Sequence, residues 1–314
     1  MDSPQSYRRA IPPGAGITHW QGPDGWEFRR FDWPAAGATK RGSILFEGGR
    51  GDIFEKYLEV FAHWHAQGWS ITSLDWRGQG GSGRVSPDSH VGHIEDFGTY
   101  IADFAAFWAE WQQAAVGPKI LMGHSMGGHL ILRAMIEGVA KPDAAVLVAP
   151  MLGLHSPLGA RLGERMAKFL GGVGNSARPA WKGNERPATT VTRQALLTHD
   201  RARYDDEIFW QRTKPELLLG PPSWRWVMQA FESTRRQRDD PRLKTMTVPT
   251  LLIVAEADKL VNPKAALQVA GKLPDVRVVR FGRESSHEVL REGDAVRNRA
   301  IGEIDLFLAA RARA

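Results

Sequence analysis

Apolar positions recur along this chain in two periods, and the two take turns. Residues 69–74 (WSITSL) alternate and are rich in β-formers. Residues 40–46 (KRGSILF), 119–122, 144–148 (AAVLV), 250–254 (TLLIV) and 277–281 are short apolar runs of strand length. Between them the step changes to three and four. Phe54, Tyr57, Leu58 and Phe61 share one side of a helix predicted over 53–67, and Phe97, Ile101, Phe104, Trp108 and Trp111 form an amphipathic stripe. Further helices are predicted over 126–136, over 263–273 and from about Asp294 onward. Strands that alternate with helices predict right-handed βαβ units and an α/β fold, with a mostly parallel, doubly wound sheet covered on both faces.

The rhythm stops at Met151. From there Gly, Arg and Trp mix irregularly, with breakers at 171–175 (GGVGN) and 220–222 (GPP), until strand character returns at Thr250. The expected division is therefore a core over 1–150, an inserted helical cap over 151–244, and the rest of the core over 245–314. The first residues, with Arg8-Arg9 followed by Pro12-Pro13, read as a solvated tail rather than an export signal, because no apolar run follows the arginines.

Composition sharpens this picture in two places. The chain has no cysteine, which excludes disulfides, thiolate metal sites and cysteine nucleophiles. Its net charge of +6 is unevenly spread: residues 151–244 hold 17 Lys and Arg against 10 Asp and Glu, so the excess belongs to the cap. The pairs His63/His65 and His90/His93 lack a third nearby ligand, and no basic–aromatic nucleic-acid module is recognisable.

The chemistry is concentrated at Gly123-His124-Ser125-Met126-Gly127, a G-x-S-x-G run between a predicted strand and a predicted helix. That context suits a sharp turn that lifts Ser125 out of the sheet edge, with small residues either side to make room. A serine hydroxyl needs an oriented base. Of the ten histidines only His155, His199 and His287 follow the helix after Ser125, and the first two fall in the cap. His287, in a loop after the last strand, is the expected base. The acid should follow the preceding strand, where Ala255-Glu256-Ala257-Asp258 offers two carboxylates. Asp258 is preferred because its loop leads into the next helix. The Met126 amide, and Gly49 in the loop 47–52 (EGGRGD), are the expected oxyanion donors. Asp75 and Arg77 are expected to brace the RGQG loop rather than to hold a phosphate, since no Walker pattern is present.

With these residues assigned, the chain resembles bacterial lysophospholipases and the related monoglyceride lipases, which are α/β-hydrolases. The resemblance is carried by 74–84 (LDWRGQGGSGR), 124–128 (HSMGG), Ala149-Pro150-Met151, 197–204 (LTHDRARY), 220–227 (GPPSWRWV) and 287–292 (HEVLRE). It implies cleavage of carboxylic esters of single-acyl glycerolipids through an acyl-serine, without cofactor or metal. It departs from the family where His-Gly usually opens the oxyanion loop and Glu47-Gly48 stands here. An ionised carboxylate pointing inward there would be unfavourable. The expected partners are a lipid-like ester and, peripherally, an anionic membrane, with a cytoplasmic location and no nucleic acid. Leu152, Phe209 and Trp224 are expected to bind substrate, drawn from an apolar cap set that includes Leu154, Met166, Phe169, Leu170, Trp210 and Trp226. Two alternatives stay open: a hydrolase or acyltransferase on another small ester or lactone, and a non-catalytic lipid-binding relative.

Overall fold

The computed structural model describes residues 7–36, 40–155, 160–181 and 190–312. Its centre is an eight-stranded sheet in the order β1-β2-β4-β3-β5-β6-β7-β8. β1 (Gly16–Gln21) and β2 (Glu27–Trp33) form an antiparallel pair at one edge, and β2 runs antiparallel to β4 (Trp69–Leu74). The remaining strands are β3 (Gly42–Glu47), β5 (Lys119–His124), β6 (Ala144–Val148), β7 (Thr250–Ala255) and β8 (Val276–Phe281). From β4 onward every neighbour is parallel.

β3, β6 and β7 are buried along their whole length, as central strands covered on both faces must be. Successive residues then feed two separate cores. Leu45, Leu121, Leu147 and Leu252 pack with α2 (Phe97–Ala114) and α3 (Met126–Ile136) on one face, and α8 (Pro263–Ala270) adds Ala266 and Val269. Ile44, Phe46, Ile120, Met122, Val146 and Ile253 pack on the other face, against α1 (Leu58–Ala66) and α9 (Asp294–Arg311). The helix expected over 53–67 opens as a 3-10 turn at Phe54–Tyr57 before α1 begins.

Between β6 and β7 the chain leaves the sheet and forms α4 (Ala160–Gly172), α5 (Thr190–Leu197), α6 (Arg201–Thr213) and α7 (Trp224–Asp239). The N-terminal stretch does more than trail in solvent. Arg8 and Arg9 both pair with Asp206 of α6, at 2.5 and 2.6 Å, and the carbonyl of Arg8 accepts from the Trp210 indole. The residues before Tyr7 lie outside those described. β3 is flanked by β4 on one side and β5 on the other, so the chain direction across the sheet reverses there. The carboxyl ends of β3 and β5 therefore open the crevice in which open α/β sheets bind ligands.

Candidate active site

Ser125 follows β5 at that crevice, with φ 52° and ψ −117°. Positive φ strains a non-glycine residue by about 1–3 kcal/mol, and only Ala149, just past β6, shares it among the described non-glycine residues. Tight packing holds the turn in place. A Cβ on Gly127 would come within 2.2 Å of the Glu47 carbonyl, and one on Gly123 within 2.6 Å of the Gly128 nitrogen. The Ser125 amide donates to Val148 O at 3.0 Å, and its carbonyl accepts from Met151 at 2.9 Å. Met126 opens α3, where the first amides of a helix have no partner within it.

His287 and Ser125 line one cavity of about 320 Å³. His287 is buried, and its Nδ1 lies 2.5 Å from Asp258 Oδ2. The other Asp258 oxygen accepts from the amides of Leu260 and Val261, at 2.7 and 3.0 Å. Burial raises the Asp258 pKa, but His287 and these two amides outweigh it, so the group stays below the ordinary carboxylate value. The imidazole moves the other way. Burial lowers its pKa, but Asp258, Glu288 and Asp52 more than compensate and hold it above 6.5. Glu256 is engaged elsewhere, in a surface ion pair with Arg280.

Gly49 stands against the nucleophile, where a Cβ on it would meet Ser125 Cβ at 2.9 Å. Its amide, however, donates to Asp52 Oδ2 at 2.7 Å. The same oxygen accepts from Tyr57 Oη at 2.7 Å and lies 3.0 Å from His124 Nδ1, while Lys56 Nζ reaches Asp52 Oδ1 at 2.5 Å. Lys56 also meets Glu288 at 2.6 Å and Glu207 of α6 at 3.3 Å, and Arg193 of α5 pairs with Glu207 at 2.6 Å. This buried ion network joins α5 and α6 to the segments that carry Asp52 and Glu288, and four of its members line the cavity. Its partners stand up to 232 residues apart in sequence, beyond the reach of any local pattern.

Glu47 is fully buried and neither carboxyl oxygen has a hydrogen-bond partner. Burial, with the charge of Asp75 added, pushes its pKa well above 4.5, which favours the neutral acid over a carboxylate at the oxyanion loop. Asp75 and Arg77 do brace the RGQG loop. Asp75 accepts from the Gly81 amide at 2.8 Å, and Arg77 binds Asp103 through two nitrogens at 2.7 and 2.6 Å.

The apolar lining differs from the expected set. Leu152 is buried in the core, Trp224 packs at its edge, and Phe209 belongs to a separate cleft with Arg9, Tyr204 and Ile208, so none of the three lines the cavity. Its apolar wall is made by Met151, Leu154, Trp181, Leu196, Leu197, Leu218, Leu219, Trp226, Leu260 and Val261. Only Leu154 and Trp226 of these were in the apolar set drawn from the sequence. Leu218 and Leu219 precede the GPP breaker in an irregular stretch, where no period tells which way a side chain points. The histidine pairs have other partners: His63 meets Asp305 at 2.8 Å, His65 stacks on Trp33, and His93 bonds Ser223 at 2.8 Å. Among the described residues, no group of three or more His, Asp or Glu side chains is placed to hold a metal ion.

The pattern of the serine aminopeptidase S33 family matches residues 38–294, from β3 through the loop that carries His287. The chain belongs to this family. Lysophospholipase L2 of Escherichia coli K12 is 29% identical over 282 residues, covering 82% of this chain and 78% of the relative. A probable lysophospholipase L2 of Haemophilus influenzae is 26% identical over 270 residues, covering 84% and 83%. Among solved structures, a soluble variant of the Saccharomyces cerevisiae monoglyceride lipase, in complex with a substrate analog, superimposes with a TM-score of 0.77 at 17% identity, covering 96% of this chain and 97% of that one. The fold is the α/β-hydrolase fold.

Proposed function

We infer that this member of the family is a serine hydrolase that cleaves carboxylic esters of glycerolipids carrying one acyl chain. The observation that carries the reading is the placement of Ser125, on its strained turn, in the same cavity as a buried His287 that lies 2.5 Å from Asp258. In this reading Ser125 Oγ attacks the ester carbonyl while His287 Nε2 takes its proton, and Asp258 holds the imidazole tautomer and stabilises the imidazolium. The oxyanion forms against the amide of Met126 and against that of Gly49, which has to turn from Asp52 Oδ2 to reach it. His287 returns the proton to the departing glycerol oxygen as the carbon–oxygen bond breaks. Water, deprotonated by His287, then attacks the acyl-serine, and the fatty acid leaves as Ser125 regains its proton.

The make-up of the cavity lining supports this substrate class. Its apolar residues suit one acyl tail, and its polar residues Asp52, Lys56, Arg193, Gln211 and Glu288 suit a hydroxyl-rich head. The relatives named lysophospholipase favour the same class. The domain reading is a core over 1–150 and 245–314 with a cap over 151–244, and the cap's surplus of seven positive charges keeps the enzyme peripheral at anionic lipid. No helix among the described residues is long and apolar enough to cross a membrane. The deciding experiment treats purified protein with a fluorophosphonate and measures fatty-acid release from lysophospholipids, monoacylglycerols, diacyl lipids and short esters. Labelling at Ser125 with preference for single-chain lipids is expected. Labelling with preference for short esters or a lactone would move the function to another acyl transfer, and no labelling would make the chain a non-catalytic binder.

A further inference from the structure

The segment that carries His287 is held by a buried carboxyl group outside the triad. Glu292 lies between β8 and α9, as His287 does, and is closed off from solvent. Its Oε1 accepts from the Ser286 amide at 2.7 Å, and its Oε2 accepts from the His199 amide at 2.9 Å. The His199 ring places Nδ1 3.0 Å from Oε1. The buried Thr198 hydroxyl lies 3.3 Å from Oε2 and 2.8 Å from the Arg291 carbonyl. One side chain thus bonds two stretches of chain 93 residues apart: the segment of His287 and the two residues that follow α5.

The end of α5 completes the arrangement. The His287 amide donates to Leu196 O at 3.4 Å, and the Glu288 amide donates to Leu197 O at 2.7 Å. Three successive amides, those of Ser286, His287 and Glu288, are therefore taken up by Glu292 and the end of α5. Leu196 and Leu197 line the same cavity as His287. Burying a carboxyl group is costly unless its oxygens find donors, and an apolar side chain of similar shape would fill the space without that cost. What the carboxyl group adds is direction. Asp258 orients the His287 ring, but the backbone that carries the ring has to be fixed as well, since a shift of about 1 Å in a reacting group can cost on the order of a hundredfold in rate.

We propose that Glu292 is a positioning residue: its carboxyl group ties the end of α5 to the segment of His287, so that the base and the part of the cavity wall made by Leu196 and Leu197 are set as one body. This rests on the reading of His287 as the base of an ester hydrolase, and it adds a mechanical link between acyl-chain binding and proton transfer.

The test compares the wild type, Glu292→Gln and Thr198→Val on p-nitrophenyl acetate, which has no tail to lay on the wall, and on p-nitrophenyl octanoate. Rates are taken per active site, by exhaustive fluorophosphonate titration, well below each melting midpoint. Glu292→Gln is expected to lower kcat for both esters by about ten- to a hundredfold. It should leave KM for the acetate within about twofold and raise KM for the octanoate several-fold. The acidic limb of its pH–rate profile should keep the wild-type midpoint, because Glu292 bonds the backbone before His287 and not the ring. Thr198→Val loses a hydroxyl on the α5 side and should show the same split to a smaller degree, with Thr198→Ser restoring it, so it carries the test if Glu292→Gln fails to fold. A variant that melts earlier but keeps the wild-type kcat would make Glu292 a structural brace and overturn the proposal. A shifted limb midpoint with an unchanged plateau would overturn it too, by making Glu292 a charge that acts on the imidazole. An octanoate KM that does not move would uncouple α5 from the base. Loss of the lipid reading would show separately, as a wild type that hydrolyses both p-nitrophenyl esters but releases no fatty acid from a lysophospholipid, and the Glu292 comparison would stand.

Discussion

The amide of Gly49 donates to Asp52 Oδ2 at 2.7 Å, so a carboxylate holds the loop that lies against Ser125. That one side chain also gathers Tyr57, His124 and Lys56. Burial raises its pKa, but Lys56 and His124 bring it well below the ordinary value, so Asp52 is charged across the working pH range. Asp52→Asn keeps the shape and removes the charge facing Lys56. Breaking a buried ion pair costs about 3–5 kcal/mol, and the shared network here puts the expectation near the lower end. The expected kinetic result is a fall in kcat of roughly ten- to a hundredfold with KM little changed, since a misplaced oxyanion donor affects only the transition state. A rise in kcat would show instead that Asp52 competes with the oxyanion for the Gly49 amide.

Ser125→Ala should abolish fluorophosphonate labelling and nearly all turnover without changing stability, because alanine meets the same positive φ. Ser125→Gly should also be inactive but more stable, by about 1 kcal/mol, since glycine relieves the strain of φ 52°. Thermal melting of the two variants separates backbone strain from chemistry. Equal melting of the two would place the strain elsewhere.

Asp258→Asn should lower kcat by roughly 10⁴, the scale on which neutralising a triad acid acts. Glu256→Gln should change it little, because Glu256 is spent on an exposed pair with Arg280 and such pairs contribute about 0–1 kcal/mol. Steady-state kinetics on one ester suffices. A loss in Glu256→Gln as large as that in Asp258→Asn would mean that Glu256 too is needed to orient His287.

The central sheet and the Ser–Asp–His order of the candidate site were legible in the chain because each leaves a local trace. Strands such as 144–148 and 250–254 are continuous apolar runs, and the turn at 123–127 needs glycines that only a crowded corner requires. The edge strand β1 leaves no such trace: five of its six residues are exposed, so it shows no apolar alternation. Asp52 and Lys56 were not legible as site residues, because their meaning comes from Glu207 and Glu288, which only the fold brings near. Phe209 was misplaced for a related reason. An apolar residue in the helices between β6 and β7 can face the cavity, the core or another cleft, and α6 packs its apolar residues to more than one of these.

Glu47 gives stability a pH dependence that can be worked out in sign. Its folded pKa is raised above 4.5 by burial, so the folded state holds a proton that the unfolded state has released. Stability therefore falls as pH rises above about 4.5, until Glu47 ionises in the folded state. Glu47→Gln has no proton to lose and should be the more stable variant at neutral pH. The gap should widen as pH is raised from 5 and close at low pH. Urea denaturation of both proteins from pH 5 to 8 reads it directly, and parallel curves would show that Glu47 finds a partner, such as a buried water, that lets it ionise.

The pH–rate profile should carry the signature of His287. To accept the Ser125 proton the imidazole must be neutral, and Asp258, Glu288 and Asp52 together outweigh burial and hold its pKa above 6.5. The kcat/KM for a neutral ester should therefore rise with pH along a single acidic limb whose midpoint lies above 6.5, since kcat/KM reports the free enzyme's essential base. Removing one negative neighbour while leaving the triad in place should move that midpoint down. Glu288→Gln is the suitable variant, because Glu288 touches Lys56 and Arg291 but neither Ser125 nor His287's ring partner, Asp258. A limb that stays put in Glu288→Gln would mean that Asp258 alone sets the imidazole. A limb midpoint below 6.5 in the wild type would mean that burial wins over the three carboxylates, and that the base at this site is already neutral throughout the physiological range.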